Sequence, residues 1–295
     1  MADVTVQTLT SPKVAVGRKD QRKLGWTRWV VLTIITLLML FTLFPFFLAL
    51  SNAVKSGTDY AINGPLALPQ SIDMTALTSF WQMSDFTRKL LNSAIISLAV
   101  ATVGVLLSLF NAYAIGIGRV RGSRAILVVL LIGIMVPQES IVYPLYYMAK
   151  VAGLYDSQLA VIIICSVLQC AFGTYLLSSV LGSFPREIIE AAEMDGASRW
   201  QILWHVVVPV LRPSLMVLGT FFFIWTWNEF LIPLVMLVSN NNQTVSVAMA
   251  LTRGQQTSDP TFQAAAALLG MAPTLIFFLI FQRTLTRGVA VGAVK

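Results

Sequence analysis

FPREIIEAAEMDGASRWQILWHVVVP (184–209) gathers four of the chain's thirteen acidic residues, its single histidine and a glycine turn into one short stretch. The surrounding 295-residue sequence is 57% hydrophobic and 11% charged. Locally, Pro185 suits the first turn of a helix, and 186–195 carries strong helix formers with Ile188, Ala191, Ala192 and Asp195 at i, i+3, i+4 spacing. Gly196 is placed to end that helix, because glycine enters the left-handed cap conformation without a Cβ penalty. Ser198 followed three residues later by Gln201 reads as a capping box for a second helix, with Ala197 and Ile202 as a weak staple. Pro209 and Pro213 mark the passage into the next apolar run. The stretch predicts a short helix, a glycine turn and a second helix.

What flanks it is built for lipid. A mean hydropathy of +0.78 is far outside the soluble range, and several runs reach the roughly 20 residues that cross a bilayer core. Six spans are predicted, at about 29–50, 90–117, 125–148, 158–181, 214–238 and 262–282. The third is the weakest, since Pro137, Gln138, Glu139 and Ser140 interrupt it. The fold class is therefore an all-α membrane protein: a polar tail over 1–28, a membrane domain over 29–295, and a helix-turn-helix insert at 183–212. The first apolar run is too long, and its 28-residue leader too extended, for a signal peptide; it is expected to stay as a span.

Orientation follows from the Lys and Arg of the connections. With the N-terminus inside, the tail holds six, the second connection Arg119, Arg121 and Arg124, the insert Arg186, Arg199 and Arg212, and the end of the chain Arg283, Arg287 and Lys295. Only Lys55, Arg88, Lys89, Lys150 and Arg253 fall outside. Both termini are predicted on the cytoplasmic side of a plasma membrane. The net charge of +7 is spread over membrane-flanking loops, so it calls for membrane lipid and not for nucleic acid.

Absent chemistry narrows the class further. One histidine excludes HExxH, and no G-x-x-x-x-G-K-[ST] loop occurs; no catalytic or metal set and no cofactor are expected in this chain. Cys165 and Cys170 point in different directions on one helix and read as packing residues. For the insert two readings stand. It could lie on the bilayer as an amphipathic connector, but such a helix should carry a basic polar face, whereas Glu187, Glu190, Glu193 and Asp195 make this one acidic. An acidic knob suits a basic groove on a protein partner.

EAAEMDGAS followed by VVVPVLRPSL resembles the EAA loop of bacterial ABC-importer permeases, with Val206 and Val208 where Ile and Leu are usual. TWNEFLIPLVML (226–237), the stretch 251–288 and the terminal GAVK are similar to carbohydrate-uptake permeases of the maltose-transporter type, the smaller six-span partner. The resemblance implies the type I importer permease fold and a division of labour. A homologous second permease completes the pore, two ATP-binding ABC subunits hold ATP and Mg, and an extracytoplasmic solute-binding protein delivers a sugar. It also implies that Glu190, Ala191, Ala192, Asp195 and Gly196 couple the chain to the ATPase.

Polar groups inside spans are costly and tend to face a wet or protein-lined interior. Candidates for a substrate path are Asn111 and Tyr113 in the second span, Gln138 and Glu139 at the break in the third, and Trp227, Asn228 and Glu229 in the fifth. Each has a plainer alternative: Asn111 could bond a neighbouring span, and Trp225 and Trp227 could form an interfacial belt. The outer stretch SNNNQTVSVAMALTRGQQTSDP reads either as a solvated hairpin or, by the resemblance, as a loop reaching toward the binding protein. A glycerol-phosphate ester is a second substrate class. An ion-coupled carrier using Glu139 and Glu229 is a different mechanism altogether.

Overall fold

The computed structural model describes residues 25–118, 120–255 and 259–293. The tail before Gly25, Arg119, residues 256–258 and the last two residues lie outside them. Every regular element among the described residues is helical. In chain order these are α1 Gly25–Ala53, α2 Gly57–Asn63, α3 Thr75–Met83, α4 Phe86–Gly116, α5 Ser123–Met135, α6 Gln138–Val151 and α7 Gln158–Gly182. There follow α8 Arg186–Met194, α9 Arg199–Gln201, a π-helical turn Ile202–Val207, α10 Val208–Asn228, α11 Leu231–Met236, a 3-10 turn Asn240–Asn242, α12 Val245–Gln255 and α13 Pro260–Ala293. Two compact units are distinguished, 1–47 and 48–295. The first contains most of α1, whose stretch Arg28–Ala53 is long and apolar enough to cross a membrane.

Among the described residues five helices are long and apolar enough to cross a membrane, and a sixth span is counted when α5 and α6 are taken together. The interruption read at Pro137–Ser140 in the span expected over 125–148 is a bend of 98° between Met135 and Gln138. Val136 is extended and Pro137 follows it with ψ near 132°, as expected where a proline ring excludes the preceding residue from the helical region. The fifth span differs. Instead of a separate second insert helix followed by a span over 214–238, one apolar helical run extends from Arg199 to Asn228 and stops at Glu229. Pro209 fails to break it because the π turn lies immediately before, where a widened i→i+5 pattern relieves the missing N–H and the ring clash.

In the second unit α4, α7 and α10 form the centre. Lipid is as apolar as leucine, so burial alone does not bring helices together there; close packing and hydrogen bonds do. Ser93, Ser97, Gly104, Ser108 and Ala112 are buried along α4, opposite Cys165, Ser166, Gly173, Thr174 and Ser178 on α7. A Cβ on Gly104 would come within 2.9 Å of the Phe222 ring from α10, which the bare backbone admits. Ser108 Oγ donates to Gly104 O within its own helix at 2.6 Å and to Cys170 O on α7 at 3.3 Å. Cys165 is buried and both cysteines are free thiols.

The end of the bundle away from the insert is clasped by polar contacts. Lys89 Nζ donates to the carbonyl and side-chain oxygens of Asn240. Asn92 donates to Asn241 O (2.8 Å) and Gln243 O (2.9 Å), and Ser93 Oγ accepts from Val245 N–H. Asp156 receives Ser239 N–H and its hydroxyl, which tie the α6–α7 loop to the same segment. Residues 239–245 are thus fastened down, and 245–255 is helix α12 instead of half a solvated hairpin. Lys55 and Lys89, counted above among the outer cations, are buried on backbone carbonyls, Lys55 on Gly64 O and Ala67 O.

Candidate functional site

The insert begins at α8, whose first turn carries Glu187. Its end is a Schellman cap: Ala197 N–H donates to Ala192 O and Gly196 N–H to Glu193 O, both at 3.0 Å. Gly196 takes φ +79°, the left-handed conformation anticipated for it. The capping box also forms, with Ser198 Oγ accepting from Gln201 N–H and Gln201 Oε1 accepting from Ser198 N–H. Two successive caps leave this corner few unbonded backbone groups.

The faces of α8 differ sharply. Ile189, Ala192 and Ala197 pack against a core of Leu109, Leu177, Leu181, Ile202 and Leu203. Glu187, Glu190, Ala191, Glu193, Asp195 and Gly196 are exposed. Of the five residues assigned to coupling, four therefore stand on the open side and Ala192 faces inward. Two further residues share the open side: Met194, 88% exposed, and Ile188. Reading the sequence missed Met194, whose exposure follows only once the inward face is fixed by Ile189 and Ala192. A cleft of about 420 Å³ separates α8 from the ends of α4 and α7, lined by Arg186, Glu190, Glu193, Arg199 and Tyr113.

The seven path candidates are not gathered in one place. Tyr113 borders the insert and donates its hydroxyl to Arg199 O at 2.9 Å. Asn111, two residues earlier, bonds Thr174 Oγ1 on α7 at 3.3 Å. Trp227, Asn228 and Glu229 sit at the far end of α10. Trp227 is buried and stacks on Phe223, so it packs in the core with Phe80 and Phe262. The exposed ring of that pair is Trp225, set against Phe172. Asn228 turns back to Ile224 O, and Glu229 Oε1 accepts from Leu231 N–H (3.0 Å) and Ile232 N–H (3.2 Å), capping α11. Gln138 and Glu139 open α6 at the 98° bend, with Glu139 exposed in its first turn. No group of three or more His, Cys, Asp or Glu suited to a metal ion occurs among the described residues.

Residues 104–291, which include α7, the insert and α10, match the model of the family described as binding-protein-dependent transport system inner membrane component. This chain belongs to that family. Similar inner membrane components include the trehalose transport system permease protein SugB of Mycobacterium tuberculosis, 31% identical over 91% of this chain and 97% of that one. The melibiose/raffinose/stachyose import permease protein MelC of Bacillus subtilis is 27% identical over 85% of this chain and 91% of its own. Among solved structures, a bacterial ABC transporter involved in the import of the acidic polysaccharide alginate shares the fold. Its TM-score is 0.76 at 21% identity, covering 88% of this chain and 96% of that one. In this inner membrane component, then, the polar insert is part of the family's matched region and the helices around it follow a known permease fold.

Proposed function

We propose that this inner membrane component forms half of the pore of an ATP-driven importer for a sugar or short oligosaccharide. A second, homologous permease supplies the other half, two ABC subunits bind ATP and Mg, and an extracytoplasmic binding protein delivers the solute. Glu190, Ala191, Asp195 and Gly196 engage a groove on the ATPase, while Ala192 holds their helix to the bundle. Both termini lie in the cytoplasm of a bacterial cell.

The observation that carries this reading is the insert: a doubly capped corner with an acidic open face, continuous through Arg199–Asn228 with a membrane span. A rigid corner joined to a span transfers displacement, where a loose loop would absorb it. The sugar follows from relatives that import trehalose and the melibiose group, together with the exposed Trp225 ring, a surface suited to sugar faces. An ion-coupled mechanism finds less support, since the Glu229 carboxylate is engaged by two backbone N–H groups.

The test is uptake of labelled trehalose and raffinose into proteoliposomes holding the whole complex. Uptake is expected only with binding protein outside and MgATP inside. Accumulation driven by a pH gradient without ATP would overturn the proposal.

A further inference from the structure

We infer that Tyr113 is the joint that holds the insert to α4, so that a push on the insert moves two spans together; this rests on the coupling reading above. Arg199–Asn228 is continuous, so displacement of α8 and its capped corner passes directly into α10. Nothing covalent passes it to α4, which is 86 residues away in the chain at this contact. Two kinds of contact bridge the gap. Phe110 lies on Trp200 with centroids 5.9 Å apart and planes at 27°, and meets Trp204 edge-on at 6.5 Å. One helical turn along, Tyr113 gives its hydroxyl proton to Arg199 O.

The two contacts differ in what they constrain. Aromatic and apolar packing holds surfaces together but lets them slide, because many offsets have similar energy. A hydrogen bond is directional and weakens steeply off-axis. Arg199 O also serves the insert's own helix, accepting from Ile202 N–H, and a carbonyl has a second lone pair for Tyr113. The bond therefore locks α4 to the first turn after the Ser198 cap, where motion from α8 enters the long helix. Among the described residues it is the one side-chain hydrogen bond between the insert and α4; on the α7 side, Ser183 Oγ donates to Val180 O where that helix ends. Tyr113 acts as a positioning residue, through Arg199 and the insert.

Tyr113→Phe removes the lock and keeps the ring packing. In the reconstituted complex, binding-protein-stimulated ATPase activity should persist while sugar moved per ATP falls about threefold or more, the scale of one ordinary hydrogen bond. Backbone amide exchange over 198–204 should quicken by a similar factor. Thr102→Val is the control, because its hydroxyl bonds only Leu98 O within α4; it should change neither quantity. Unchanged exchange in Tyr113→Phe, a proportionate fall of uptake and ATPase together, or an equal effect in Thr102→Val would each overturn the inference. If wild-type uptake needs neither ATP nor binding protein, the functional reading falls instead, and the exchange measurement still decides whether Tyr113 moors the insert.

Discussion

Gly196 shows how a single backbone angle can carry a mechanical role. At φ +79° it has open space where a Cβ would project, with nothing within 4 Å. Any penalty for a side chain there comes from the backbone alone, about 1–2 kcal/mol for an ordinary L-residue and less for asparagine. Uptake is expected to fall in the order Gly, Asn, Ala, Val while membrane insertion is kept. Gly196→Val with wild-type uptake and ATPase stimulation would remove the cap from coupling. Asp156 gives a second residue-level test, at the opposite end. Ser239 donates its hydroxyl and its N–H to this carboxylate and holds its pKa below the ordinary carboxylate value. A depressed folded pKa means that the stabilisation is complete above about pH 4 and is lost as pH falls through the lower folded value. Amide exchange over 237–245, measured relative to the intrinsic chemical rate at each pH, should therefore accelerate on acidification of the wild type. Asp156→Asn should show much of that acceleration already at pH 7 and little further acid response. An unchanged acid response in the variant would show that other groups secure the segment.

Individual elements were legible in the sequence to the extent that their determinants are local. The glycine cap at Gly196 and the Ser198–Gln201 box need only neighbours within four residues, and both formed as read. The apolar runs likewise announced their helices. Breaks and continuations were harder, because proline has no single meaning within a membrane helix. Pro137 lies within a sharp bend, yet Pro209, just after a π turn, and Pro213, with none before it, both sit inside one unbroken run. Nor could periodicity show that Trp227 packs inward on Phe223 while Trp225 remains exposed, since that depends on where Phe277 of α13 stacks against the same Phe223. The clasp at 239–245 was invisible for the same reason: Lys89 and Asn240 are 151 residues apart.

For the whole molecule, sidedness is the first quantity to measure. Ser198 and Asn241 are both exposed and lie at opposite ends of the bundle. In a cysteine-free background, Asn241→Cys should react with an impermeant reagent in intact cells, and Ser198→Cys only after the membrane is opened. Reaction of both from outside would refute the cytoplasmic placement of the insert. The π turn at Ile202–Val207 has a further consequence for the assembly. Five-residue bonding holds one residue more per turn than an α-helix needs, and each residue of an α-helix advances about 100° around its axis. The wider winding takes up that surplus residue, so the compass bearing of α8 about the α10 axis stays near that of a plain helix one residue shorter. Deleting one residue from 202–207 should convert the turn to plain α-helix and leave the acidic face close to its bearing, so ATP hydrolysis should still respond to binding protein. Deleting one residue from the α-helical part of α10, where nothing absorbs the change, should swing that face by about 100° and abolish the response. Loss of the response in the first variant would mean that the π turn itself sets the bearing. A relative lacking the surplus residue could receive its ATPase from the same azimuth.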